Sequence, residues 1–98
     1  MAVDNTSLER WRTLKASQVL SAIAEYAKQD STFTPAKDAR TTRWHATVDG
    51  QDFELLCTGA KFWDCRAERG GGGAVDMAMY LLGLDFKSAS ALLGGLDL

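Results

Sequence analysis

Four consecutive glycines, Gly70 to Gly73, stand between an aromatic stretch, Lys61 to Cys65, and the apolar run Ala74 to Leu82. No other tetrapeptide loses as much backbone entropy on folding. A chain of 98 residues carries that loss for a sharp passage from strand to helix or for close approach of a partner to bare backbone. The phosphate-loop pattern is not met: no Lys-Ser/Thr pair follows, and Val75 stands where a dinucleotide fingerprint needs its third glycine. Amides ahead of a helix still attract a phosphate oxygen, but Asp76 beside them would repel it. The run is therefore expected to be a conformational turn.

After the glycines, Val75, Met79 and Leu82, with Ala78 and Leu81 beside them, predict a helix over 74–82. Gly83 suits a C′ position and Asp85 an N-cap. A short last helix over 86–93 is expected to bury Phe86, Ala89, Leu92 and Leu93, with Gly94-Gly95 ending it. At the other end, Asp4, Asn5, Thr6 and Ser7 are candidate N-caps for a helix over 4–14 that carries Leu8, Trp11 and Leu14. Val19, Leu20, Ile23, Ala24 and Ala27 predict a second helix from about Ala16 to Gln29. Lys15 to Ser17 either breaks or joins the two. Trp11 and Tyr26 are read as packing between helix and sheet.

Residues 30–42 contain Pro35, the only proline, and have no period, so they read as a loop. With Lys37, Arg40 and the adjacent Arg43 against Asp38 it is the most basic local stretch, although charge on a solvated loop is ordinary. From Arg43 the period becomes two. Trp44, Ala46 and Val48 alternate with Arg43, His45 and Thr47, and Asp49-Gly50 signals a hairpin. The return strand sets Phe53, Leu55 and Cys57 against Asp52, Glu54 and Leu56. A third strand follows Thr58-Gly59. The fold expected is one α+β domain over 1–98: two N-terminal helices, a three-stranded antiparallel meander (43–48, 51–57, 60–65), a glycine turn and two short C-terminal helices.

With Phe62 facing the core, Lys61, Trp63 and Cys65 share the opposite face with Arg43 and His45. Trp63 among these cations has the makings of a stacking platform for a single-stranded base, with charge beside it for phosphates. The competing reading packs Trp63 under the N-terminal helices.

A net charge of −2 argues against a strong non-specific DNA binder, though not against a local basic face. No apolar run reaches the ~20 residues of a membrane span, and the charged N-terminus lacks the apolar stretch of a signal peptide. The expected setting is the cytoplasm, with Cys57 and Cys65 as free thiols. No metal or other cofactor is expected. Cys57, Cys65 and His45, with Asp64 as a poor fourth, fall short of a zinc site, and alternation sends the cysteines to opposite faces. His45 has no nucleophile in a motif, and Asp52, Glu54 and Asp64 read as solvent-facing strand charges. No enzyme is expected.

Three segments, Lys61-Phe62-Trp63-Asp64-Cys65, Gly72-Gly73-Ala74-Val75-Asp76-Met77 and Leu82-Gly83-Leu84-Asp85-Phe86 with Ala89, resemble the zinc-ribbon domain at the N-terminus of bacterial-type DNA primases. They look closer still to its degenerate versions in primase-like and TOPRIM-containing proteins of plasmids and integrative elements. The resemblance covers 43–93, leaving about 4–29 as a separate helical part. Of the family's metal ligands only Cys65 has a counterpart, so the resemblance implies a ribbon folded without zinc. It also implies contact with single-stranded template through the sheet face, placing Arg43, His45, Lys61 and Trp63 at the site with Arg66 and Arg69 flanking. The catalytic TOPRIM part has no counterpart.

Two functional expectations follow. One is a non-catalytic, replication-associated module of a mobile genetic element that binds single-stranded DNA or docks on a replication protein. The other is a complete small phage or plasmid protein that inhibits a host defence complex by binding protein. The mild acidity favours the second and the cationic-aromatic face the first.

Overall fold

The computed structural model describes residues 5–96 and 98. Among them α1 (Asn5–Thr13) and α2 (Ala16–Ile23) come first, followed by β1 (Tyr26–Gln29), β2 (Thr42–Val48), β3 (Gln51–Thr58), β4 (Lys61–Asp64) and β5 (Arg69–Gly72). Then come α3 (Ala74–Leu82) and α4 (Phe86–Gly95). The strands form one antiparallel sheet in the order β1-β2-β3-β4-β5. The α+β class is as expected, but the sheet has five strands rather than three. The candidate cap Asp4 lies outside the described residues.

Both extra strands lie where side-chain pattern is weak. The predicted second helix stops at Ile23, and Ala24 is already extended (φ −79°, ψ 146°). Beyond Ile23 a helix would offer the core only Ala24 and Ala27. As an edge strand the same residues gain main-chain bonds to β2 and still turn Ala27 inward. Glu25 N–H begins this pairing by donating to Thr47 O at 2.9 Å. Tyr26, expected to pack inward, is 54% exposed.

The glycine run is the second correction. Gly70, Gly71 and Gly72 are strand, paired with Trp63, Phe62 and Lys61. A Cβ at Gly70 would lie 2.7 Å from Phe62 O and 2.8 Å from Trp63 Cε3, so the indole needs a bare backbone beside it. At Gly71 the Asp76 carboxylate and the Phe62 ring fill the space a side chain would take. Gly73 alone of the four has a positive φ, +94°, and makes the passage into α3.

The helices cover the sheet face that carries Ala46, Val48, Leu55, Cys57 and Phe62. With Trp11, Ala16, Val19, Leu20, Ala74, Met77, Leu81 and Leu93 these residues make the core. Trp11 is buried as expected. Asp49 and Gly50 both have positive φ, as a two-residue hairpin turn of the strand-matching hand requires. Gly83 closes α3 in the left-handed region, with Leu84 N–H donating to Met79 O. Asp85 caps α4 by accepting from Ser88 N–H at 2.8 Å. That helix takes in Gly94 and Gly95 and ends there, two residues beyond the expected 93, and Phe86, expected to be buried, is 50% exposed. Among the described residues no helix is long and apolar enough to cross a membrane.

Candidate nucleic-acid interface

The sheet face opposite the helices presents Arg43, His45, Thr47, Asp52, Glu54, Leu56, Lys61 and Trp63, none of them buried. Register sorts them into rows. Lys28, His45 and Glu54 lie side by side, and the next row is Arg43, Leu56, Trp63 and Gly70. Thr58 and Lys61 form a third row. Strand alternation thus brings Arg43, His45, Lys61 and Trp63 to one face. Trp63 is 44% exposed and does not pack under the N-terminal helices.

The rows differ in electrostatics. Glu54 is a shared anion. Its Oε2 accepts from Arg43 Nη2 at 2.5 Å, and its Oε1 lies 3.5 Å from Arg66 Nη2 and 3.8 Å from His45 Nδ1. The hydrogen bond from Arg43, then the charges of Arg43, Arg66 and His45, hold the Glu54 carboxyl below its ordinary range. Glu54 in turn holds the Arg43 guanidinium above its own. By contrast, neither Lys61 nor Lys37 has an ion-pair partner among the described residues.

Around Lys61 and Trp63 the face is not flat. The loop from Asp30 to Thr41 folds over it and leaves a groove of about 800 Å³. Phe33, Pro35 and Lys37 line the loop side, and Leu56, Trp63 and Gly70 the sheet side. No function is expected of this loop from its sequence. The signal it does contain is an aromatic and a proline set among cations, in a segment with no helical or strand period.

Arg69, the other flanking cation, belongs elsewhere. It pairs with Asp64, on the helix-covered side of the sheet, and its guanidinium carbon sits 5.5 Å from the centre of the Tyr80 ring. Asp64, expected to face solvent, is buried at 4% exposure. One of its oxygens accepts from the Arg66 and Ala67 amides and the other from the Tyr80 hydroxyl. Asp76 accepts from Gly72 N–H at 3.0 Å, so that amide is occupied rather than held out to an anion.

Cys57 lies in the core, where burial pushes its thiol up to about 12. Cys65 is partly exposed, and burial raises its thiol too, against the pull of Arg43. Neither is a ready nucleophile near neutral pH. Among the described residues no three His, Cys, Asp or Glu side chains cluster so as to hold a metal. Compared with protein-family models, with curated proteins and with solved structures, the chain matches none.

Proposed function

We propose that the chain is a non-catalytic module that binds single-stranded DNA through the open face of its sheet, as a replication-associated part of a mobile genetic element. The observation that carries this reading is Trp63, 44% exposed on a face flanked by cations. The open face and its loop hold Lys28, Lys37, Arg40, Arg43, Lys61 and Arg66, six of the eleven basic residues. They hold Asp30, Asp38, Asp52 and Glu54, four of the thirteen acidic ones. A chain of negative net charge thus keeps a mildly positive face around Trp63. Stacking one base on such a ring is worth about 1–3 kcal/mol, and each phosphate neutralised adds about 0.7 to the salt slope. Affinity should be modest and salt-sensitive. The primase-ribbon resemblance, in which the same face meets single-stranded template, supports the same reading.

Titration of a labelled oligothymidylate at low and moderate salt tests it. Binding should weaken as salt rises, by roughly tenfold or more in Trp63→Ala, and Lys61→Ala should flatten the salt dependence. No binding at low salt overturns the reading.

A second reading draws on Phe86, 50% exposed at the start of α4 on the helix side. An exposed aromatic away from the cationic face suits a protein partner, such as a replication protein or a host defence complex to be inhibited. Loss of a captured host protein on Phe86→Ser, with oligonucleotide binding intact, would favour it.

A further inference from the structure

We infer that the loop from Asp30 to Thr41 is the second wall of a nucleobase site. An unstacked base would lie between Trp63 on the sheet and Phe33 with Pro35 on the loop, and its neighbouring phosphates would reach Lys37 and Lys61. The inference rests on the single-strand reading and adds residues outside the primase-like segment.

The loop is held in place at both ends. Asp30 N–H donates to Arg43 O at 2.8 Å and so continues the β1–β2 pairing. Asp30 Oδ1 accepts from the Thr32 amide at 2.9 Å and the Thr32 hydroxyl at 2.6 Å, and Phe33 N–H donates back to Asp30 O. At the far end Asp38 accepts from the Arg40 amide and side chain, Thr41 N–H donates to Asp38 O, and the Thr41 and Thr58 hydroxyls meet at 2.7 Å. A wall fixed in this way loses little entropy when a ligand arrives. Between and at these ties, Phe33 to Asp38 line the groove.

The chemistry of the lining selects the occupant. The groove, at about 800 Å³, is within the ~300–1,000 Å³ range of small-molecule sites. Thr41 and Thr58, hydroxyl groups in its lining, bond each other. β3 and β4 in the floor are paired on both sides and offer an extended peptide no strand edge for its main-chain bonds; the sheet's edge at this end is β5, whose Gly70 and Gly71 also line the groove. A base needs no strand edge: its faces stack, and its polar edge can remain in water at the open mouth. The charge on the lining is also one-sided. Lys37 and Lys61 are unpaired among the described residues, whereas Asp38 is engaged by Arg40 at 2.9 Å. An apolar slot with free cations on its rim complements a base between two phosphates.

The full chain should be titrated with a fluorescein-labelled oligothymidylate and with an abasic strand of equal length, which keeps the phosphates and lacks the bases. Phe33→Ala should weaken oligothymidylate binding by roughly tenfold, toward the affinity of the abasic strand. Lys37→Ala, an exposed change that leaves the fold intact, should reduce the salt slope by about 0.7. If Trp63→Ala weakens binding while Phe33→Ala and Lys37→Ala bind as the unaltered chain does, the inference is overturned and the sheet-face reading stands. If no strand binds at low salt, both fall. If Phe33→Ala and Lys37→Ala lose only an acidic peptide with a central tryptophan, the groove is a peptide site and the inference fails.

Discussion

The Tyr80 hydroxyl donates a 2.6 Å hydrogen bond to Asp64 Oδ2, tying the last turn of α3 to the last residue of β4. The other carboxylate oxygen receives the Arg66 and Ala67 amides at 3.0 and 3.2 Å. One buried carboxylate thus shapes the turn into β5 and holds it against the helix layer. The Tyr80 ring extends the contact, lying 5.7 Å from the Phe62 ring and 6.4 Å from the Phe53 ring, centre to centre. Asp64→Ala strips a partner from three donors at once and should destabilise the fold by about 3 kcal/mol. Tyr80→Phe, which removes one donor and leaves the ring, should cost about 1 kcal/mol. Urea unfolding reads both as a lower midpoint at unchanged slope. Equal effects would mean that the carboxylate's bonds to the turn contribute nothing.

The four glycines should respond differently to alanine. At Gly70 a methyl group meets the Phe62 main-chain oxygen and the Trp63 ring, and at Gly71 it meets Asp76. Each change should destabilise by about 1–3 kcal/mol, as overpacking does. Gly73→Ala imposes a side chain on φ +94°, at a cost of about 1–2 kcal/mol. At Gly72 the nearest atom is Lys61 Cγ at 3.7 Å and φ is not positive, so Gly72→Ala should be neutral or stabilise slightly. Thermal midpoints of the four variants give the order directly. A destabilised Gly72→Ala would show that the run is needed as a flexible unit rather than residue by residue.

How much of this was open to a reader of the sequence depends on how local the cause is. The outward set Arg43, His45, Lys61 and Trp63 follows from alternation alone, and the α3 and α4 boundaries follow from Gly83 and Asp85. β5 stays hidden because a strand of glycines has no side chains to alternate. β1 stays hidden because its four residues turn only Ala27 inward, too few to show alternation, while Ala24 and Ala27 continue the helical spacing of Leu20 and Ile23. The burial of Asp64 depends on Tyr80, sixteen residues away, which reaches it only when α3 packs on the sheet. The groove is less legible still: it exists only because the loop carrying Phe33 and Pro35 folds back over Leu56 and Trp63.

The core thiol predicts an alkaline limit to stability. Burial moves Cys57 from 9.0 to about 12. Because the folded value is raised, the contribution is whole below the unfolded pKa and disappears as pH climbs to the folded one. Stability should therefore fall between pH 9 and pH 12, by up to about 4 kcal/mol at the upper end. Tyr80, raised first by burial and then by its bond to Asp64, adds loss in the same direction above its ordinary value of 10.0. Cys57→Ala should lower the urea midpoint modestly at neutral pH and flatten its decline with alkalinity. A decline of unchanged steepness in Cys57→Ala would assign the limit to other groups.

Glu54 should act as a brake on the cationic face. Its carboxylate holds Arg43, Arg66 and His45 in one cluster, and a phosphate arriving there has to compete with it. Its lowered pKa fixes the sign: the ion pairs are present at neutral pH and are lost only as pH falls through that depressed value. Glu54→Gln imitates the acid state at neutral pH while keeping the side chain's size. The pairs it breaks are partly solvated, with the Glu54 side chain itself 26% exposed, so the unfolding midpoint should fall only modestly. Oligonucleotide affinity at low salt should rise roughly three- to tenfold, and the salt slope should steepen by about 0.7 for each phosphate newly contacted. Weaker binding in Glu54→Gln would mean that the carboxylate positions Arg43 and Arg66 for the ligand, so the cluster would work as a built template and not as a restrained one.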